Sequence, residues 1–181
     1  TALEAWRTED MQHSVVRVGA LLSEELAKRG YFVMHDTTDH ELNDINQAYV
    51  RALETLESYS MTFDLVIDLH RDAYTEGLET ALHDDEDSYA QIMLLVGNGA
   101  NFQGEKAPNY KNNLAFAQTL TSELNKCKRG IARNVTVKNG RYNQHIGKIS
   151  ALIEVGHNKN TLQEALNSVP YLADAIDLTL K

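Results

Sequence analysis

Two short segments place polar side chains at the ends of apolar runs that have the composition of buried strands. The first is Asp-Leu-His-Arg-Asp at residues 68–72, which completes the apolar run at 63–69. The second is Glu154, near the end of the run at 151–155. In open α/β sheets, ligands bind beyond the carboxyl ends of the strands. A carboxylate is costly to bury there unless it is paired, metal-bound or catalytic. The sequence therefore predicts a site that contains His70 and Glu154.

These residue types favour metal-assisted hydrolysis. A neutral imidazole such as that of His70 is a common metal ligand, and with Cys127 as its one cysteine the chain has no thiolate cage. A carboxylate from Asp68 or Asp72 could orient the ring from outside the ligand sphere. Glu154 would then be the base that deprotonates a metal-bound water, or the acid that protonates a leaving nitrogen.

Other interpretations stay open on the residues alone. His70 could be an ordinary polar loop residue within a salt-bridged turn, and Glu154 could form a structural ion pair with Arg71. His35 and His40 flank an acidic turn and suit either a second metal pocket or solvated loop histidines. The second metal pocket would also keep a two-metal phosphoesterase in consideration, although that class needs more clustered ligands.

Length and composition restrict the class of protein. The chain has 181 residues, 43% of them hydrophobic, and two prolines, which is typical of one globular domain spanning 1–181. Its formal net charge of -9, without a basic cluster, argues against nucleic acid and anionic membrane surfaces as partners. No apolar run approaches the roughly 20 residues of a membrane span. Because the chain starts at Thr1 and not at methionine, we interpret it as a mature or excised fragment.

Hydrophobic periodicity predicts an α/β fold. Apolar residues recur at helical spacing in four segments, the first stopped by Gly30 and the last capped by Thr161: 15–26, 43–59, 112–126 and 161–180. Strands are predicted at 31–35, 63–69, 91–96, 131–137 and 150–155. An acidic stretch at 75–89 is predicted to be a surface excursion. The alternation favours a three-layer domain, with a mostly parallel central sheet flanked by helices.

Several motifs together carry a family resemblance. The main motifs are the sequences at 68–73, at 142–144 and at 152–156 with Asn160-Thr161. Further segments agree with them: Val18-Gly19, His35-Asp36, His40, 46–49 and 113–117. In this order they resemble the stage II sporulation protein P family, which contains N-acetylmuramoyl-L-alanine amidases of endospore-forming bacteria and their relatives. The matches run from Glu4 to the last helix and cover nearly the whole chain.

The resemblance implies a zinc-amidase-like fold and hydrolysis of the amide between N-acetylmuramic acid and L-alanine in peptidoglycan. Carried over by position, His70 is similar to a zinc ligand and Glu154 to the catalytic glutamate. Glu4 matches the glutamate of the family's amino-terminal metal motif, as a ligand or a near neighbour of Zn²⁺. Asn143 and Gln144 would supply donors and acceptors for sugar or peptide groups at the rim.

Arg71 has two candidate roles. Its guanidinium suits a developing oxyanion or a stem-peptide carboxylate, and it equally suits an ion pair with Asp68 or Asp72. The likeness to the family also implies an extracytoplasmic location, with membrane anchoring of the full-length protein, and association with a membrane-associated lytic complex.

The sequence departs from the family pattern at three positions. Thr1 stands where the family has a zinc-binding histidine, three residues before Glu4. His145 replaces the usual aspartate, and His157 replaces a second glycine, where it could compensate for the absent ligand. A chain short of one ligand could instead be a peptidoglycan-binding module that positions a partner lytic enzyme.

Overall fold

The computed structural model describes residues 8, 10–42, 44–79, 81–103 and 107–181. Within these residues the helices, in chain order, are α1 (Val15–Lys28), α2 (Ala48–Ser58), α3 (Tyr110–Cys127) and α4 (Leu162–Leu180). The strands are β1 (Leu65–Asp72), β2 (Leu82–His83), β3 (Ser88–Tyr89), β4 (Ile92–Gly97), β5 (Thr136–Lys138) and β6 (Ile149–His157). Short 3-10 helices cover Met11–His13 and Ile45–Gln47.

Strands β1, β4, β5 and β6 form the central sheet, in the order β1-β6-β4-β5. The β1–β6 and β4–β5 pairs are parallel, and β4 runs antiparallel to β6. The prediction of a mostly parallel sheet is therefore confirmed, with one reversed pair at its centre. The acidic stretch between β1 and β4 forms the small antiparallel hairpin β2–β3.

One face of the sheet carries the main hydrophobic core. Alternate residues of β4 and β6 point to this face, where they pack against α1, α3 and α4. Ile92, Leu94, Ile153, Leu120 and Leu172 are all fully buried there. The start of α4 is fixed by a capping box, in which Thr161 and Glu164 satisfy each other's backbone amides, so the predicted cap at Thr161 is confirmed.

The opposite face has a thinner cover. Met93, Leu95 and Leu152 form a small apolar cluster there, against which Tyr142 packs. Helix α2 lies over this face, because its Tyr49 contacts both His70 and Tyr142. Helices on both sides of the sheet make three layers, as the sequence predicts.

The predicted strand at 31–35 is wrong. This segment is extended but joins neither sheet of the described structure. Tyr31 and Val33 pack against the core, whereas Phe32 is 85% exposed and Met34 40% exposed. The alternation of side chains specifies an extended backbone, but a strand also needs a partner for its amides, and a single sequence does not reveal the partner.

The predicted strand at 131–137 is shorter in the structure. A single bridge pairs Ala132 with Ile92, and β5 covers only the last part.

Among the described helices, none combines the length and the apolar character needed to cross a bilayer.

Candidate functional site

Neighbouring strands bring His70 and Glu154 together. In the parallel register of β1 and β6, His70 lies directly opposite Glu154. Both side chains belong to the thinly covered face, because the alternate residues Ile153 and Val155 face the main core. The two residues that the sequence singled out are therefore adjacent, near the carboxyl ends of a parallel strand pair.

Glu154 is a buried carboxyl group with an unsatisfied oxygen. The residue is 8% exposed, and its Oε2 atom has no hydrogen-bond partner among the described residues. Burial raises the pKa of Glu154 to about 7, with the nearby charge of His70 opposing the shift and those of Asp72 and Asp68 adding to it. A carboxyl group with this pKa can both accept and return a proton near neutral pH.

The His70 imidazole is held by a carboxylate of its own strand. Its Nε2 atom lies 2.9 Å from Oδ1 of Asp68. Burial lowers the pKa of His70, but the hydrogen bond and charge of Asp68, with the charge of Glu154, outweigh it and leave the pKa raised. Of the two orienting carboxylates considered from the sequence, the structure selects Asp68. Asp72 instead pairs with Arg133 at 2.9 Å.

Tyr49 is the aromatic neighbour of His70, and Tyr142 is the neighbour of Tyr49. Tyr49 of α2 stacks on His70 with ring centroids 6.4 Å apart and planes 11° apart, and Tyr142 meets Tyr49 edge-on at 5.7 Å. Burial raises the pKa of Tyr49, and the charges of Asp68 and Glu154 add to the shift. Sequence reasoning missed Tyr49, since it stands in the apolar stripe of a predicted helix. The sequence does not reveal that this residue of α2 lies next to His70 of β1.

The turn after β5 is bonded to α2 through Asn143. Tyr142 and Asn143 both have positive φ angles, 51° and 52°, which side chains other than glycine adopt at a cost. The Nδ2 atom of Asn143 donates to the backbone oxygen of Tyr49 at 2.7 Å. Asn143 therefore connects this turn to α2.

Gln144 serves the frame of the site. It is 5% exposed; its Nε2 donates to the carbonyl of Leu95 at 2.8 Å, and its Oε1 accepts from the amide of Gly97 at 2.8 Å. Asn113 donates to the Gln144 carbonyl at 2.8 Å and accepts from the Ser150 amide at 2.9 Å. This buried network joins the turn to β4, β6 and α3, so Gln144 lies beneath the rim and not on it.

Arg71 follows His70 at an irregularity of β1. The register with β6 shifts between His70 and Asp72, and the Arg71 residue is exposed. Gly156, on the opposite strand, has a φ angle of +73°. Arg71 is thus an exposed residue that adjoins His70 in the chain, beside this shift in register.

His157 is engaged elsewhere. The residue is 4% exposed; its Nε2 lies 3.2 Å from the Glu79 carbonyl and its Nδ1 accepts from the Lys159 amide at 3.2 Å. Its ring also meets Tyr74 edge-on at 5.1 Å. Because both ring nitrogens have partners, His157 does not supply a replacement metal ligand in this conformation.

The described donors do not complete a zinc site. His70 and Glu154 give one imidazole and one carboxylate on the same face, whereas a catalytic zinc usually takes three protein ligands. In the part of the chain that the structure describes, no three His, Cys, Asp or Glu side chains are grouped to hold a metal ion. Glu4, the further ligand expected from the sequence, lies outside the described residues.

Comparison with models of protein families gives a match over nearly the whole chain. A model of the family described as stage II sporulation protein P (SpoIIP) matches residues 2–177. No curated protein matches the chain.

Solved structures with a similar fold are amidases of low sequence identity. The CwlD amidase of Clostridioides difficile, in complex with the GerS lipoprotein, aligns with a TM-score of 0.57 at 14% identity, over 90% of this chain and 80% of its own. The N-acetylmuramyl-L-alanine amidase of Mycobacterium abscessus gives 0.56 at 15%, over 91% and 74%. The catalytic domain of CwlV, from Bacillus (Paenibacillus) polymyxa, gives 0.52 at 11%, over 91% and 79%. At these identities the likeness establishes the fold.

Proposed function

The chain belongs to the stage II sporulation protein P family, and from this membership we propose that it hydrolyses the amide between N-acetylmuramic acid and L-alanine in peptidoglycan. Structures of N-acetylmuramoyl-L-alanine amidases share its fold. The observation that carries the proposal is the Glu154 carboxyl group, which is buried beside His70 and has one unpartnered oxygen.

In the proposed reaction Glu154 moves one proton. As a carboxylate it accepts the proton of the water whose oxygen attacks the amide carbonyl carbon. The carbon–nitrogen bond then breaks, and Glu154 returns the proton to the departing amine of L-alanine. A pKa of about 7 suits both transfers, because neither protonation state is strongly favoured near neutral pH.

Zinc is the cofactor that we propose for this site. His70 would be one ligand, with its ring fixed by Asp68, and Glu4 would be another. When bound, zinc would polarise the substrate carbonyl and lower the pKa of a water molecule. The remaining ligand is not among the described side chains.

The polar residues around the site have distinct proposed roles. The exposed Arg71, which follows His70 in β1, would bind a stem-peptide carboxylate or a developing oxyanion, since a guanidinium suits either charge. Asn143 and Gln144 would act mainly by holding the surrounding backbone in place, because their amide groups bond to Tyr49, Leu95 and Gly97. Glycan strands and stem peptides are thus the proposed partners, and we propose an extracytoplasmic location for the protein. We also propose that the full-length protein is membrane-anchored and works within a lytic complex.

The test is release of stem peptides from purified peptidoglycan with added zinc, followed by mass spectrometry. We expect the unmodified protein to release peptides with a free amino-terminal alanine. Glu154→Gln should lower the rate by at least about 100-fold, since general acid–base catalysis is typically worth that much, while zinc binding persists. His70→Ala should lose the zinc. Glu24→Gln, an exchange of the same type at an exposed position of α1, is the matched control.

Two outcomes would contradict the proposal. Normal turnover in Glu154→Gln would show that another group carries the proton. Absence of release by the unmodified protein, even in excess zinc, would favour the peptidoglycan-binding module. Co-sedimentation of the protein with insoluble peptidoglycan would then test that alternative.

A further inference from the structure

The His70 imidazole is constrained from two directions. Asp68 lies at hydrogen-bond distance from Nε2 and fixes one edge of the ring. The Tyr49 ring lies nearly parallel to it, with planes 11° apart and centroids 6.4 Å apart. A hydrogen bond at one nitrogen still allows the ring to rock about that contact, whereas a second ring lying parallel beside it limits the tilt. The orientation of His70 thus depends on a residue of another element.

The position of Tyr49 in turn depends on the turn after β5. Helix α2 contains no buried residue, so burial alone fixes its position weakly. The 2.7 Å bond from Asn143 to the Tyr49 carbonyl ties α2 at the residue that faces His70. The edge-on contact of Tyr142 with the Tyr49 ring adds a second tie from the same turn. Two consecutive residues with positive φ direct these side chains toward α2.

We propose that Tyr49 is a positioning residue: its ring holds the His70 imidazole at a defined tilt, and Asn143 holds Tyr49 in place. The inference rests on the proposed function, which makes His70 part of the reacting site. It uses the ring of Tyr49 and not the hydroxyl, so Tyr49→Phe should preserve the effect. Groups that hold a metal-binding histidine from outside commonly change metal affinity by about 10- to 100-fold when removed.

The first measurement uses the metal-free protein, without substrate. The carbon-bound imidazole protons of His70 are assigned by NMR through their loss in His70→Gln. The ring current of the neighbouring Tyr49 should displace them from the positions of a free imidazole. We expect Tyr49→Ala to remove this displacement, Asn143→Ala to reduce it and Tyr49→Phe to keep it. Val50→Ala, at a half-exposed position next to Tyr49 on the same helix, should leave the signals unchanged.

The second measurement is the affinity for zinc alone, by competition with a chromophoric chelator. We expect Tyr49→Ala to weaken zinc binding roughly tenfold and Tyr49→Phe to keep it within about twofold. Thermal melting of each variant shows that the fold is retained. The proposal is overturned if Tyr49→Ala matches Val50→Ala in zinc affinity, because loss of the ring alone already changes the His70 signals.

The two proposals fail in different ways. If the unmodified protein releases no stem peptides while Tyr49→Ala still weakens zinc binding, the amidase assignment falls and the positioning role stands. If stem peptides are released and Tyr49→Ala leaves the zinc affinity unchanged, the amidase stands and the role of Tyr49 falls.

Discussion

At the scale of single residues, the features that equip Glu154 for proton transfer also oppose folding. The folded protein holds the Glu154 proton with a pKa of about 7, whereas the ordinary value is 4.5. Between these two pH values the folded state binds more proton than the unfolded chain. The free energy of unfolding therefore falls as the pH rises through this window. Below the window both states are protonated, and no penalty remains.

Replacement by a neutral residue of the same shape should recover this loss. At pH 8 and in the presence of a chelator, we expect Glu154→Gln to raise the free energy of unfolding by about 3 kcal/mol, from a pKa difference worth roughly 1.4 kcal/mol per unit. Urea unfolding at pH 4 and at pH 8 measures it, and the gain should disappear at pH 4. Glu24→Gln serves as the exposed control. A gain of the same size at both pH values would show that the pKa of Glu154 is not raised.

At the scale of elements, the end of β6 depends on Gly156. Its φ angle is +73°, and an added Cβ atom would lie 2.6 Å from Oδ1 of Asn160 and 2.8 Å from Cβ of Ala90. Oδ1 of Asn160 also accepts the amide hydrogen bond of His157. A side chain at position 156 would therefore meet both backbone strain and overlap, two residues beyond Glu154.

Gly156→Ala should lower the free energy of unfolding by about 2–5 kcal/mol, the sum of left-handed strain and overpacking. Gly77→Ala is the matched control, because Gly77 has a φ angle of +91° but no described atom within 4 Å of the added carbon. The control should cost only about 1–2 kcal/mol, from strain alone. Urea unfolding of both variants gives the comparison, and equal losses would contradict the overlap with Asn160 and Ala90.

Elements with strong local signals were predictable from the sequence. The helix predicted at 112–126 corresponds to α3, and the strand at 91–96 corresponds to β4, because periodicity and apolar content specify both. The extended segment at 31–35 could not be distinguished from a strand, since strand formation depends on a partner elsewhere in the chain. The antiparallel direction of the β4–β6 pair was not predictable for the same reason, because it depends on which distant segments become neighbours.

The candidate site was predictable as a set of residues but not as a geometry. Polar types after apolar runs pointed to His70 and Glu154, yet their adjacency follows from a register between distant strands. Gln144 looked available for substrate because a glutamine in a polar turn carries no sign of burial. Its bonds to β4 arise only when the turn packs onto the sheet.

At the scale of the whole molecule, stability and chemistry occupy opposite faces of the sheet. Three helices bury the first face in the main core, whereas α2 and one turn cover the second. Substitutions on the first face should therefore change folding without changing the geometry of the site. Helix α4 offers a matched pair, because Leu172 is fully buried and Leu178 is 54% exposed.

We expect Leu172→Ala to lower the free energy of unfolding by about 2–5 kcal/mol, from lost burial and the cavity that remains. Leu178→Ala should change it by no more than about 0.5 kcal/mol. Thermal and urea unfolding give both values. A similar loss in the two variants would contradict the placement of the main core beneath α4.

The central position of β6 in the sheet also determines which parts of the protein open locally and which open only on global unfolding. This strand pairs with β1 on one side and with β4 on the other, and all but its first residue are buried. Its amide hydrogens should exchange with solvent deuterium only when the whole protein unfolds, whereas those of α2, which has no buried residue, should exchange through local opening. The backbone that carries Glu154 would then stay folded while α2 opens and closes many times. A polymer arriving at the surface would meet a rigid strand beneath a helix that repeatedly opens.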